Sequence, residues 1–355
     1  MNFKEILDNY GFEAELTPYG NGHINDTFIT SDGKYIVQRI NTNVFPDPDK
    51  LMENIANVTE YLKERLAANG EDPELGTLTI LKTVNGKNYI TTSEGKTFRV
   101  YTYISDSKSI ENEKTYNDLY EAGAGFGHFQ LLLRDYPAES LHEVIKDFHN
   151  TPKRVEALRK AIEEDRAGRL SSVKAEVEFA LEKSAFASVV TEGISNGEIP
   201  LRVTHNDTKI NNILFDKNSG KATCVIDLDT VMPGSILYDF GDALRMGAST
   251  AAEDETNLDL VSFDMEAFRS FTEGYLSEAR GFLNEKELSL IPFSAKLLTY
   301  ECGIRFLTDY LNGDTYFKIH REHHNLDRAR NQFKLVSDIE NKESALNDIV
   351  KDIIA

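Results

Sequence analysis

The chain has 355 residues, 40% of them hydrophobic and 28% charged, which is ordinary globular composition and enough sequence for two packed lobes. Its 39 basic and 59 acidic residues leave a net charge of −20, a field that repels DNA and RNA, and no basic patch with interleaved aromatics interrupts it. No apolar run reaches the about 18 residues of a membrane span. The N-terminal Phe3, Ile6 and Leu7 are amphipathic rather than a signal core, and Cys224 and Cys302 are too few for a disulfide framework, so a cytoplasmic protein is expected.

Residues 14–40 read as three strands, Ala14–Pro18, Thr27–Thr30 and Tyr35–Ile40, the last two joined by the turn Ser31-Asp32-Gly33-Lys34. Between the first two lies Tyr19-Gly20-Asn21-Gly22-His23-Ile24-Asn25. This is a G-x-G-x-x-N loop: its glycines allow φ > 0 and let backbone amides approach phosphate. Gly20, Gly22 and Asn25 are therefore candidate nucleotide contacts, with a plain turn as the alternative. A helix follows, with Asp47 as N-cap, Pro48 in its first position, and Leu51, Ile55, Val58, Leu62 and Leu66 along one face. Leu78–Val84, Asn88–Thr92 and Thr97–Ile104 are further strands. Protein-kinase-like lobes carry a lysine on the third strand. Here that strand reads Tyr35-Ile36-Val37-Gln38-Arg39-Ile40, so Arg39 or Gln38 takes the phosphate contact, or the contact is missing. The partner glutamate, Glu53 or Glu60, stays open. An adenine would lie against the backbone of the connector Tyr103-Ile104-Ser105.

After Ser105 the texture is helical: Thr115–Leu133, Val155–Glu164, Val173–Leu181, Met265–Ala279 and Phe293–Leu311 show helix-period apolar positions. One strand-rich island, residues 201–231, interrupts them. The expected architecture is α+β and bilobal, a protein-kinase-like fold. Its β-rich N-terminal nucleotide-binding lobe spans residues 1–104, and its α-rich C-terminal catalytic lobe spans residues 105–355, with the nucleotide in the cleft between them.

The island contains Thr204-His205-Asn206-Asp207-Thr208-Lys209-Ile210-Asn211-Asn212, an H-x-D-x-x-x-x-N string with kinase catalytic-loop spacing. A carboxylate, Asp207, meets the attacking hydroxyl, and an amide oxygen, Asn212, reaches a magnesium ion on the phosphates. Ile213–Asp216 and Ala222–Asp227 flank the turn Lys217-Asn218-Ser219-Gly220-Lys221 and read as a hairpin. Folding it with Asp216 opposite Ala222 brings Asn212 beside Val225–Asp227. Asn212 and Asp227 are then the two protein ligands of a magnesium site completed by ATP phosphates and water. The literal D-F-G triplet, Asp239-Phe240-Gly241, lies beyond the hairpin, so Asp239 and Asp242 are expected to cap or brace the following helix. Asp229 shares a strand face with Asp227 and is a further carboxylate behind the metal, a second ligand or a substrate contact.

This run resembles the aminoglycoside phosphotransferase and choline kinase family. Gly22 through Asn25, Phe45-Pro46-Asp47, Arg202 through Lys209, Ile226 through Thr230, Met232 through Ser235 and Glu301-Cys302-Gly303 with Arg305-Phe306 carry the likeness over residues 18–330. The flanking segments resemble its N-acetylhexosamine 1-kinase subgroup. That resemblance implies transfer of the ATP γ-phosphate to the anomeric hydroxyl of an N-acetylated amino sugar. It also implies His23, Asp229, Arg305 and Tyr316 as sugar contacts. Each has a plainer reading: an i,i+4 ion pair of Arg305 with Glu301 or Asp309, Tyr316 as a core aromatic, and His23 as a loop hydrogen-bonder. His320, His323 and His324 lack metal-site spacing and read as a solvated helix end. A kinase of another small hydroxyl acceptor and a nucleotide-binding pseudokinase are the alternatives. The sequence leaves the oligomeric state open.

Overall fold

The computed structural model describes residues 3–20, 24–110 and 114–355. Strand alternation organises the N-terminal part. β1 (Leu16–Pro18), β2 (Asp26–Thr30), β3 (Tyr35–Ile40), β4 (Ile90–Thr91) and β5 (Thr97–Thr102) form an antiparallel sheet in the order β1-β2-β3-β5-β4. Val37, Phe98 and Val100 point to one face, where they pack with Ile6 and Tyr10 of the helix α1 (Phe3–Tyr10). Ile40 and Tyr101 point to the other face, onto α2 (Pro48–Ala68) and its Leu51, Ile55, Val58 and Leu62. Asp47 caps α2 as expected, accepting from the Lys50 amide at 3.2 Å.

The expected strand Leu78–Val84 does not form. After α3 (Pro73–Gly76) the chain makes an isolated bridge from Ile80 to Tyr101, with Leu81 N–H on the Val100 carbonyl at 2.9 Å. β4 already pairs with Thr97 and Phe98 on the same edge of β5, so the two segments divide that short edge between them.

The chain then passes through β6 (Ser107–Lys108) into the helical part: α4 (Tyr116–Leu133), α5 (Thr151–Glu164), α6 (Lys174–Lys183) and α7 (Val189–Ser195). Next come β7 (Arg202–Thr204), β8 (Ile213–Asp216), β9 (Ala222–Val225) and β10 (Met232–Gly234), followed by α8 (Ile236–Gly247), α9 (Met265–Ala279), α10 (Glu285–Asn312) and α11 (His324–Ile354). Helix α7 lies outside the sequence expectation, which gave no bounds for α8 or α11, although Leu326, Ala329, Phe333, Val336 and Ile339 of α11 recur every three or four residues and are buried. The backbones of α4 and α9 touch. A Cβ on Gly274 would collide with the Tyr120 carbonyl, and one on Gly123 with that of Phe271.

Two small sheets carry the island: β10 pairs with β7, and β6-β8-β9 forms a three-stranded ribbon. One apolar core runs from α2 through β8–β9 to α8, α9 and α10, and so joins both lobes. Asn54 of α2 fastens them further, donating to the His142 and Val231 carbonyls at 2.8 and 3.0 Å and accepting the His142 amide at 2.9 Å.

Candidate active site

The loop after β7 is held by side chains from below. Asp239, in the first turn of α8, accepts the His205 and Asn206 amides at 2.9 and 2.7 Å and the Gln130 side-chain amide at 2.9 Å. Asp242 accepts the Thr208 amide at 3.1 Å. These bonds hold Asn206 in the left-handed region at φ 65°, where asparagine is tolerated. Asp239 and Asp242 therefore do not cap the helix as expected: Ser235 caps α8, and the two carboxylates brace the loop after β7. His205 is fully enclosed. Its Nδ1 accepts the Asp207 amide at 3.2 Å, so the proton sits on Nε2, which donates to the Ile226 carbonyl at 2.8 Å. That neutral ring ties the loop to the residue before Asp227.

Asp207 faces Lys209, with Nζ 2.8 Å from Oδ1. Burial would raise the Asp207 carboxyl, but the Lys209 ammonium outweighs it and holds the group below its ordinary value. Asp207 is therefore ionised and a weak base, suited to orienting a hydroxyl more than to removing its proton early. The sequence reading gave Lys209 no role; its position two residues beyond Asp207 was the available signal.

Ile213 pairs with Val225 and Leu214 with Cys224, as the hairpin reading requires, before a bulge shifts Phe215 onto Ala222. The Ile226 amide donates to the Asn212 carbonyl at 2.9 Å, so Asn212 and Asp227 leave the hairpin at the same end. The Asn212 side-chain nitrogen donates to the Asp207 carbonyl at 2.8 Å, which leaves its oxygen to ligate. The Asp227 carboxylate has no hydrogen bond or ion pair among the described residues, and burial, with Asp229 and Asp207 nearby, pushes its pKa up to about 6. No three His, Cys, Asp or Glu side chains among the described residues form a metal cluster. An amide oxygen, from Asn212, and an unneutralised carboxylate, Asp227, fit a divalent ion that shares its shell with phosphates. Asp239 does not fit, because both of its oxygens are occupied by amides.

Asp229 is drawn toward the N-terminal sheet. Its Oδ1 lies against Arg99 Nη1 of β5, and its Oδ2 accepts from the Asn25 side chain at 2.6 Å. Asn25 also accepts the Asn41 amide at 3.0 Å, so its side chain bridges the lobes instead of lying open to a phosphate. Arg39 points to the opposite face from Gln38 and pairs with Asp26 at 2.7 Å, about a third exposed. Gln38 instead accepts from Arg99 at 3.1 and 2.9 Å. Arg99 is the cation the sequence reading missed; its signal was a single charge in the otherwise buried run Thr97–Tyr101. Neither Glu53 nor Glu60 reaches it: Glu53 pairs outward with His142 at 2.9 Å, and Met52 Sδ stands 4.0 Å from Arg99 Nη1.

Gly20 has φ 70° and open space around it. Gly22 and His23 lie outside the described residues. In the connector, the Tyr103 amide donates to the Lys34 carbonyl and the Ile104 carbonyl accepts from Ser107 Oγ, each at 2.7 Å. The Tyr103 carbonyl and Ile104 amide have no hydrogen-bond partner among the described residues.

On the acceptor side the ion pair considered for Arg305 is absent. Glu301 is taken by His149 at 2.8 Å and Thr151 at 2.6 Å, and Asp309 by the amides of Thr315, Tyr316 and Phe317 at 2.8–2.9 Å. Arg305 lies instead between the Phe148 and Phe317 rings, 5.5 and 5.6 Å from their centroids. His149 Nε2 meets the Asn206 carbonyl at 3.1 Å, which links the Glu301 side chain to the loop after β7. Tyr316 is 68% exposed and is no core aromatic. His324 is buried on Asp254 at 2.9 Å, not solvated.

A β-rich lobe with a connector, a braced H-x-D-x-x-x-x-N loop and a hairpin delivering an amide oxygen and a carboxylate define a kinase-like phosphotransferase. The profile of the phosphotransferase enzyme family matches residues 15–271, and the chain belongs to that family. Among solved structures it is similar to a microcompartment-associated aminopropanol kinase, at 15% identity and TM-score 0.60 with 97% of each chain covered. It is also similar to an aminoglycoside phosphotransferase from Alicyclobacillus acidocaldarius, at 12% identity and TM-score 0.60, covering 98% of this chain and 95% of that one. A third is the amicoumacin kinase hAmiN in complex with AMP-PNP and Ca2+, at 13% identity and TM-score 0.58, covering 96% and 94%. At these identities the likeness speaks for the fold: α+β, with a sheet-bearing N-terminal lobe and a helical C-terminal lobe.

Proposed function

We propose that the chain is a cytoplasmic, ATP- and magnesium-dependent N-acetylhexosamine 1-kinase, transferring the γ-phosphate to the anomeric hydroxyl of N-acetylglucosamine or N-acetylgalactosamine. Asp207 orients that hydroxyl and takes its proton as the bond to phosphorus forms, and Lys209 keeps Asp207 ionised. Asn212 and Asp227 would hold the magnesium ion, whose charge offsets that of the phosphates. The Tyr103 carbonyl and Ile104 amide pair with the adenine.

The observation that carries the choice of acceptor is Arg305. It is a cation set between Phe148 and Phe317 with no carboxylate at ion-pair distance among the described residues, while Glu301, close enough to feel its charge, and Asp309 are hydrogen-bonded elsewhere. Arg154 adds a second cation with a buried, unpaired Nε. A polycationic acceptor would need free carboxylates there, whereas a neutral sugar offers hydroxyl and N-acetyl carbonyl oxygens to the guanidinium and a ring face to the aromatics. The test is a phosphorylation panel with magnesium and ATP over N-acetylglucosamine, N-acetylgalactosamine, glucosamine, galactose, an amino alcohol and an aminoglycoside. The phosphate position is read by 31P NMR. An anomeric phosphate on the N-acetylated sugars is expected; turnover confined to the amino alcohol or aminoglycoside would end this reading.

A further inference from the structure

β5 is buried from Thr97 to Tyr101, yet its third residue is an arginine. A cation so placed is costly unless its donors are met. Gln38, directly opposite in the β3–β5 register, takes the Nε hydrogen and one from Nη2, and Asp229 lies against Nη1. Met52 Sδ faces the other Nη1 hydrogen at 4.0 Å, so of the five guanidinium hydrogens one remains, on Nη2. Asp229 is two residues beyond Asp227, which sets the guanidinium at the metal end of the cleft. Competing cations are elsewhere: Arg39 is turned to the other face with Asp26, and Lys209 is on Asp207. The helix glutamate that would balance a third-strand lysine is replaced by Met52.

We propose that Arg99 supplies, from β5, the cation that meets the phosphates of the nucleotide, with Gln38 and Asp229 holding the guanidinium in place. The phosphate-side charge has moved one strand over, and the glutamine opposite is its support. The inference rests on the phosphotransferase reading and not on which acceptor is used.

The test compares binding of adenosine and of magnesium·ADP, by calorimetry, in wild type, Arg99→Met, Arg99→Lys and the double variant Gln38→Lys/Arg99→Met. Neither ligand requires an acceptor, so failure here is distinct from failure of the sugar assignment. Arg99→Met is expected to weaken magnesium·ADP by about tenfold or more while adenosine changes less than about twofold. The double variant returns a cation to the same face beside Asp229 and is expected to regain much of that loss. An equal loss for both ligands makes Arg99 a structural tie between the lobes and overturns the proposal, as does magnesium·ADP binding within about twofold of wild type. Should Arg99→Met not fold, the same ratio is read in Arg99→Lys and the double variant. If neither of these folds, Arg99 is a structural tie and the proposal fails.

Discussion

Asp239 accepts the His205 backbone amide at 2.9 Å through one carboxylate oxygen, while its other oxygen takes the amide of Asn206 at 2.7 Å. The literal D-F-G aspartate is thus the floor of the catalytic loop. Burial raises its carboxyl above the ordinary value, and the backbone amides of His205 and Asn206 oppose that rise. Asp239→Ala leaves three enclosed donors, from His205, Asn206 and Gln130, unpaired. A stability loss of about 2–4 kcal/mol is expected by chemical denaturation. The magnesium concentration for half-maximal turnover should hold in whatever activity survives.

Asp227 behaves oppositely. With its pKa pushed up to about 6, the folded, metal-free protein binds a proton there more tightly than the unfolded chain does. The ionised form therefore costs stability above about pH 6, and that cost disappears as pH falls toward 4. Asp227→Asn should stabilise the metal-free protein at pH 8 by on the order of 2 kcal/mol, seen as a higher Tm, and not at pH 4. The same variant should lose magnesium-dependent turnover. Scanning calorimetry at the two pH values, with EDTA present, checks the first part.

Asp207→Asn keeps an oxygen for Lys209, 2.8 Å away in the native pair, and so keeps the loop. Turnover should fall about 10²–10⁴-fold. Affinity for magnesium·ATP and the unfolding midpoint should change little. Single-turnover kinetics with equilibrium nucleotide binding separates these quantities.

His149 and Glu301 form a buried pair at 2.8 Å. Burial alone would lower the His149 pKa, but Glu301 outweighs it and raises the value. Burial would raise Glu301, and His149 outweighs it in the other direction. The histidine contribution to stability is complete below about pH 6.5 and fades as pH rises through its raised value. The glutamate contribution is complete above about pH 4.3 and fades as pH falls. Glu301→Gln should therefore cost most near pH 6, about 3 kcal/mol, and less at pH 9. A series of denaturation curves across that range reads the difference.

Local chemistry in the sequence determined the loop and hairpin that bring Asp207, Asn212 and Asp227 together. The spacing from His205 to Asn212, the polar turn at Lys217–Lys221 and the cap at Asp47 each act within about ten residues, a range over which backbone hydrogen bonding decides conformation. Asp207, Asn212 and Asp227 could be read from such patterns, because a hairpin places its ends together whatever surrounds it. The charge placement could not. Asn25 and Asp229 are 204 positions apart, Arg99 meets Asp229 across the lobes, and Arg305 finds Phe148 instead of the carboxylates one turn away on its own helix. Whether a buried cation pairs with a near or a distant carboxylate depends on which groups packing leaves without water. Only the tertiary structure decided that.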